Sequence, residues 1–340
     1  MANRNDVAKK AGVSGATVSR VFNNPDSVAA ETRQKVLKAA EELNYHPNII
    51  ASNFVKRRSG NIGVIMPHFP RVHIFSVYYF SELLSGIGET IQKQGYNLML
   101  FFHQMQIGKD NDYLPYFRAG NVDGCILLGT LNNDRGLLRL QDKGYKFCLI
   151  NNYIKNSGIS FADVDNVSGS CEAVRHLINL GHRHIVFLNG PSFYTNSMDR
   201  LEGYKKALEE AGIRFKEQNV IEGNYGRKSG YEATEIILEL KEKPTAVFAA
   251  NDRMAAGLMQ GLKQKGVKVP EDISIAGYDD SDTAVLVEPR LTTVRIPFFE
   301  LGKQCAQEFI SILREERKTA FNLFLTPELV VRESTQRQKK

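Results

Sequence analysis

From Asn61 onward, short apolar runs bounded by turn residues alternate with segments of helical periodicity. The runs fall at 62–66, 97–102, 124–128, 147–150, 184–188, 246–249 and 274–277. A strand that is apolar throughout needs cover on both faces, and helices between such strands supply it. The pattern therefore specifies an α/β fold, doubly wound around parallel sheets. The chain has 340 residues, more than one core usually holds, so the strands divide between two lobes. The run PRLTTVRIPFFELGKQ after Glu288 reads as a return crossing followed by a helix in the first lobe. Lobe 1 is accordingly placed at about 60–162 and 293–323, and lobe 2 at about 163–292 and 324–340, with a cleft between them.

The segment before residue 60 follows a helical rule. Val7, Ala8 and Ala11 share a face of a first helix over 6–11, and Gly12 ends it. Ser14 suits the N-cap of a second helix over 15–23 that points Val18, Val21 and Phe22 inward and leaves Ala16, Thr17, Ser19 and Arg20 outside. A third helix over 30–43 carries Val36, Leu37, Ala40 and Leu43 on its supporting face. Two short helices joined at a glycine form a helix-turn-helix, here as an all-helical headpiece over 1–46. Charge agrees: ten cations against five carboxylates up to Gly60 place +5 of the chain's net +6 there. Such clustering is the footprint of a nucleic-acid partner, which a dispersed basic average would not be.

The stretch DVAKKAGVSGATVSRVFNNPDSVAAETRQKVLKAAEELNYHPN resembles the headpiece of the lactose-repressor/galactose-repressor family of transcription regulators. GHRHIVFLNGP, RLEGYKKALEEAGI, KPTAVFAANDRMAAGLMQGLKQKGVKVPEDISIAGYDD and PRLTTVRIP resemble the same family's effector domain, whose fold is that of periplasmic sugar-binding proteins. The resemblance is weakest near the termini and at 67–78, where this sequence is longer than members with a short loop there, by about six residues, a stretch of at most ~20 Å when extended. It implies a hinge helix within 47–59 that orders on DNA. Pro47 suits a helix start, and the segment is too short to be stable by itself. Where the family usually presents a leucine wedge to the minor groove, this chain has Phe54, and Lys56, Arg57 and Arg58 suit phosphate contacts. The candidate DNA-contacting residues are Ser14, Ala16, Thr17, Ser19, Arg20 and Asn23 in the headpiece, and Asn48, Ile50, Ala51, Phe54 and Lys56 in the hinge.

Ligands of open α/β sheets bind beyond the carboxyl ends of the strands. That rule selects Asn151 and Asn152, Asn251 and Asp252, and Asp279. Asp252 is better placed as the N-cap of the following helix and is left out of the site. A neutral polyol calls for amides, a carboxylate and a guanidinium, which Arg200 provides. The resemblance implies effector contacts at Arg200, Asn251 and Asp279, a further pocket position at Asn151, and ligand-dependent positions at Tyr194 and Asn196. Asp279 and Arg200 also suit an ion pair with each other. Among the aromatics Phe69, Phe75, Tyr78, Tyr79 and Phe80, most fit a core, and the resemblance implies a place near the pocket for Tyr79.

Other chemistries find little support. His176, His182 and His184 with Cys171 lack a metal-ligand spacing, there is no phosphate-binding glycine loop, and no nucleophile elbow occurs, so no cofactor and no enzymatic activity are expected. The four cysteines, none in a CxxC pair, read as reduced core thiols. A polar N-terminus and the lack of any long apolar run point to the cytoplasm. The expected partners are near-palindromic operator DNA, a sugar-like effector and a second copy of the chain; the tail after Glu333 has no leucine heptads to build a tetramer. A solute-binding module remains the alternative for the α/β part alone, and the headpiece is what separates the two.

Overall fold

The computed structural model describes residues 2–45, 58–68 and 73–338. Its contacts separate into two units, Met1–Ser59 and Gly60–Lys340.

In the first unit, α1 (Arg4–Ala11) opens with a capping box. Asn3 Oδ1 accepts from the Asn5 and Asp6 amides, while the Asp6 carboxylate accepts from the Asn3 amide at 2.8 Å. Gly12 closes the helix at φ 68°, a left-handed turn that suits glycine. Ser14 caps α2 (Gly15–Asn23) by accepting from the Thr17 amide at 3.1 Å, a bond whose loss typically costs about 1 kcal/mol. In α3 (Ala30–Glu42), Val36, Ala39 and Ala40 pack on Val7, Ala8, Val18 and Val21. Leu37 does not join them. It is 46% exposed, because one residue beyond Val36 turns about 100° away from the face that Ala39 and Ala40 continue.

The second unit contains two six-stranded sheets. The first consists of β1 (Asn61–Pro67), β2 (Asn97–His103), β3 (Gly124–Leu128), β4 (Phe147–Ile150), β5 (Ser160–Val164) and β11 (Asn322–Leu325), in the order β11-β5-β4-β3-β1-β2. The second consists of β6 (Ile185–Asn189), β7 (Val220–Glu222), β8 (Ala246–Ala249), β9 (Ser274–Asp279), β10 (Thr292–Arg295) and β12 (Glu328–Val330), in the order β12-β10-β9-β8-β6-β7. Every pairing is parallel except β10 with β12. The central strands β3, β4, β6 and β8 are buried along their whole length, as continuous apolar runs require.

The crossings lie a few residues from where the sequence put them. β5 runs on to Val164, and β11 to Leu325, so both pass the expected lobe limits at 162 and 323. Residues 293–295 belong to the second lobe, because β10 pairs with β9 from Thr292↔Ala276 to Arg295↔Asp279. The buried, β-branched Thr292, Thr293 and Val294 are a strand and not a connection. The return follows at Ile296, and α12 (Phe298–Leu313) then packs on α4 (Tyr78–Lys93) of the first lobe. Those two helices approach through glycines: a Cβ on Gly86 would lie 2.0 Å from the Phe299 carbonyl oxygen, and one on Gly302 would lie 2.4 Å from that of Leu83.

Candidate functional site

The headpiece presents the outer face of α2. Val18 is fully buried, while Ala16 and Arg20 are exposed and Thr17 and Ser19 are half-buried. Ser14 and Thr17 also share a hydroxyl contact of 3.0 Å, so the cap fixes two of the candidate side chains at once. Arg20 has no carboxylate partner among the described residues, which leaves its five donors available to an acceptor outside the chain. Asn23 is the last residue of α2. Asn48, Ile50, Ala51, Phe54 and Lys56 lie outside the described residues, as does Phe69.

Between the lobes, Arg200 is the central group. It stands on α8 (Thr195–Glu210) at 3% exposure. Its Nε donates to Asn166 Oδ1 at 2.9 Å, its Nη1 donates to the Ala250 carbonyl, and its face lies 3.9 Å from the centroid of the Tyr278 ring. Nη2 stands 3.9 Å from Asp279 Oδ1, the outer limit of an ion pair. Burial pushes the Asp279 carboxyl up, against the pull of Arg200 and Arg253. Asp279 and Asp280 carry consecutive positive φ values of 111° and 54°, and Asn151 at the end of β4 has φ 56°. Non-glycine residues in such conformations cost of order 1–3 kcal/mol each, and they collect where a site needs a side chain aimed.

Two buried polar atoms around this group, Asp163 Oδ2 and Tyr278 Oη, have no hydrogen-bond partner among the described residues, and Tyr79 Oη and Asn151 Oδ1 have none but each other. A buried polar atom without a partner is destabilising by about 1–3 kcal/mol, so such atoms call for an acceptor or donor from outside. Tyr79 and Asn151 belong to the first lobe and Tyr278 to the second. Asp163, Tyr194 and Asp279 all act electrostatically on Tyr79, whose hydroxyl burial drives upward.

Residues 5–48 match bacterial regulatory proteins of the lacI family, and residues 174–335 match the periplasmic binding protein-like domain. The chain is 33% identical over 331 residues to the HTH-type transcriptional regulator RegA of Clostridium saccharobutylicum, covering 97% of this chain and 98% of the relative. It belongs to the lacI family. Catabolite control protein A of Priestia megaterium is 31% identical over 97% of this chain and 98% of its own length. Among solved structures, the lac repressor dimer bound to operator and the anti-inducer ONPF superposes with a TM-score of 0.84 at 28% identity, covering 98% of this chain and 99% of that one. The transcriptional regulator CelR–cellobiose complex gives 0.76 at 31% identity, covering 98% and 100%. This member of the lacI family is therefore a DNA-binding transcription regulator with an α/β domain of periplasmic binding protein type.

Within this family member, the candidate residues of the second lobe are already engaged with one another. Asn251 is itself the N-cap of α10 (Asp252–Gln264), accepting from the Met254 amide at 2.9 Å, and donates to the Tyr225 carbonyl at 3.0 Å. The cap expected at Asp252 is thus one residue earlier. Asp252 is fully buried and instead holds the segment after β9, accepting from the Ser281 amide at 2.7 Å and from the hydroxyls of Ser281 and Thr293. Asn196 Oδ1 accepts from the Tyr225 hydroxyl at 3.0 Å, and the Tyr194 ring is 6.3 Å from that of Tyr225. Tyr225 thereby joins Tyr194, Asn196 and Asn251. The sequence reading missed it because β7, which precedes it, has three residues only.

The histidines have local partners: His176 meets Thr335, His182 meets Thr245 and the Gln336 carbonyl, and His184 meets Glu242. All four cysteines are buried and free. Phe80 is core, whereas Phe75 is 55% exposed and meets the ring of Phe102 edge-on.

Proposed function

We propose that the chain is a repressor that binds a near-palindromic operator as a homodimer in the cytoplasm, and that a sugar-like effector held between the lobes sets its grip on DNA. The observation that carries the effector half is the set of unpartnered polar atoms around the locked Arg200. The DNA half rests on α2, whose outer face carries Arg20 and whose inner face is spent on the headpiece core. Solved relatives support the pairing, one as a dimer on operator with an anti-inducer and one in complex with cellobiose. Arg20 suits a bidentate contact to guanine, with Ala16 and Thr17 offering methyl groups to thymine. Ser14, Ser19 and Asn23 flank them. The segment 47–59 serves as the hinge, with Asn48, Ile50, Ala51, Phe54 and Lys56 meeting the minor groove and its phosphates. Tyr79, Asn151, Tyr194, Asn196, Arg200, Asn251 and Asp279 form the effector site, in a domain spanning 60–340 that also dimerises.

This reading makes the protein a binding switch without enzymatic activity. No helix among the described residues is long and apolar enough to cross a membrane. A mobility shift against promoter fragments, with a chain lacking 1–59 as control, tests the function directly. A shift with the full chain and none with the control is expected, and equal behaviour of the two would favour a solute-binding module.

A further inference from the structure

The chain passes from the first unit to the second at Ser59–Gly60, and the residues just past that bond are held more firmly than a strand start requires. Gly60 turns the backbone at φ 72°, in the left-handed region that glycine enters freely. Its carbonyl accepts from the Asn97 amide at 2.9 Å and its amide donates to Asp123 Oδ2 at 3.1 Å, so the peptide groups on both sides of it are fixed. Asn61 follows with bonds of its own. Its carbonyl accepts from the Asp123 amide at 2.8 Å, its Nδ2 donates to the Asn121 carbonyl at 2.8 Å, and its Oδ1 accepts from Asn97 Nδ2 at 3.0 Å.

The sheet alone does not call for the carboxylate. Pairing with β2 from Asn61↔Asn97 onward already anchors β1. Asp123 stands just before β3 and reaches past the start of β1 to the Gly60 amide, a charge-assisted bond and so among the stronger kinds. A peptide group is planar, so holding the Gly60 amide also sets where Ser59 lies. The carboxylate thus fixes the direction in which the chain leaves this unit. Without it, a glycine takes either sign of φ about equally readily, and the direction is free to swing.

The consequence falls on DNA. In a two-fold dimer both exits are fixed in the same way, and a helix-turn-helix pair reads half-sites at a set separation. Each added base pair moves one half-site by about 3.4 Å and turns it by about 35°. Exits of fixed direction favour one separation. Exits that swing spread the effective concentration of the second headpiece over neighbouring separations as well.

We propose that Asp123 is a positioning residue that fixes the exit of the chain at Gly60 and thereby makes the dimer selective for one spacing of operator half-sites. The proposal rests on the reading of the protein as a dimer on a two-half-site operator.

The test is selection from a random-sequence DNA library with the full chain, read by sequencing, for the wild type, Asp123→Ala and Asp123→Asn. The wild type is expected to enrich paired half-sites at one spacing, with spacings one base pair shorter or longer at least about tenfold rarer. Asp123→Ala is expected to enrich the same half-site and to bring the neighbouring spacings within about threefold of the first. Asp123→Asn keeps an oxygen that accepts from the Gly60 amide and is expected to restore the wild-type ratio within a few-fold. A role in stability alone would lower the Tm of Asp123→Ala and leave its spacing distribution as in the wild type, which would overturn the proposal. A wild type that accepts several spacings equally would overturn it too. Should Asp123→Ala fail to fold, a glycine inserted between Ser59 and Gly60, which puts a free joint before an intact clasp, decides: relaxed spacing supports the proposal and unchanged spacing overturns it. Enrichment of single half-sites by the wild type would count against the dimeric reading itself, and the proposal would fall with it.

Discussion

The Tyr153 hydroxyl, on the first lobe, donates to both carboxylate oxygens of Asp199, on the second, at 2.9 and 3.0 Å. Beside it, Asn152 accepts from the Thr195 hydroxyl at 2.5 Å, and Asn132 donates to the Ser192 carbonyl at 3.2 Å. Three side chains of the first lobe thus hold the start of α8, the helix that carries Arg200. A ligand biases such an arrangement only by binding it better than the alternative.

Tyr153→Phe removes one hydrogen bond to a charged acceptor, worth about 1.5–3 kcal/mol, and leaves the ring packed on Phe161. Effector affinity is expected to fall roughly tenfold, since 1.4 kcal/mol is a factor of ten, while operator binding without effector persists. Calorimetry checks this, and an unchanged Kd would mean that the contact plays no part in closure.

Stability should fall as pH rises through the neutral range. Burial pushes Asp163 to about 8, whereas an unfolded aspartate titrates near ~3.9. Between those values the native state holds a proton that the unfolded chain has released, so folding is favoured at the acid end and this contribution is lost towards pH 8. Asp252 and Asp279 are raised as well and act with the same sign. Thermal melts from pH 5 to 8 should show a smaller fall in Asp163→Asn than in the wild type; parallel curves would contradict the assignment.

Gly302→Ala places a methyl against the Leu83 carbonyl oxygen, where a Cβ would have 2.4 Å. Backbone has to move, and overpacking of this kind is destabilising by about 1–3 kcal/mol. Urea unfolding should show a lower midpoint. An unshifted midpoint would mean that α4 and α12 are less tightly joined than described.

Arg20→Ala should cost about 1–3 kcal/mol at operator sites and relax discrimination at one base position. Competition binding against operators varied at that position reads this out. A uniform loss across all sequences would instead make Arg20 a phosphate contact.

Much of the molecule was legible because its elements obey strong local rules. Gly12, Ser14 and the buried face of Val18 and Val21 mark the headpiece, and whole-length apolar runs mark the central strands. Asn151 and Asp279 came from a rule about strand ends, and the structure gives both a left-handed backbone. Illegible were the short or edge strands: β5, β7, β11 and β12 carry weak periodic signals, and β10 reads as a connection. Tyr225 and Asp163 were hidden with them. Asp163 is harder still, because it sits within a strand, and a carboxyl there is significant only once Asn166 and Arg200 are seen beside it. Leu37 shows the reverse error, an apolar residue assigned to a face it does not reach.

The central claim is that Arg200 and Asp279 belong to a site whose occupancy is coupled to DNA binding by the other unit, and such coupling is reciprocal. The most direct measurement is an operator mobility shift titrated with effector for the wild type, Arg200→Ala and Asp279→Ala. The account predicts that both variants bind operator as the wild type does without effector and no longer respond when it is added. A dose response in both variants equal to that of the wild type would contradict it.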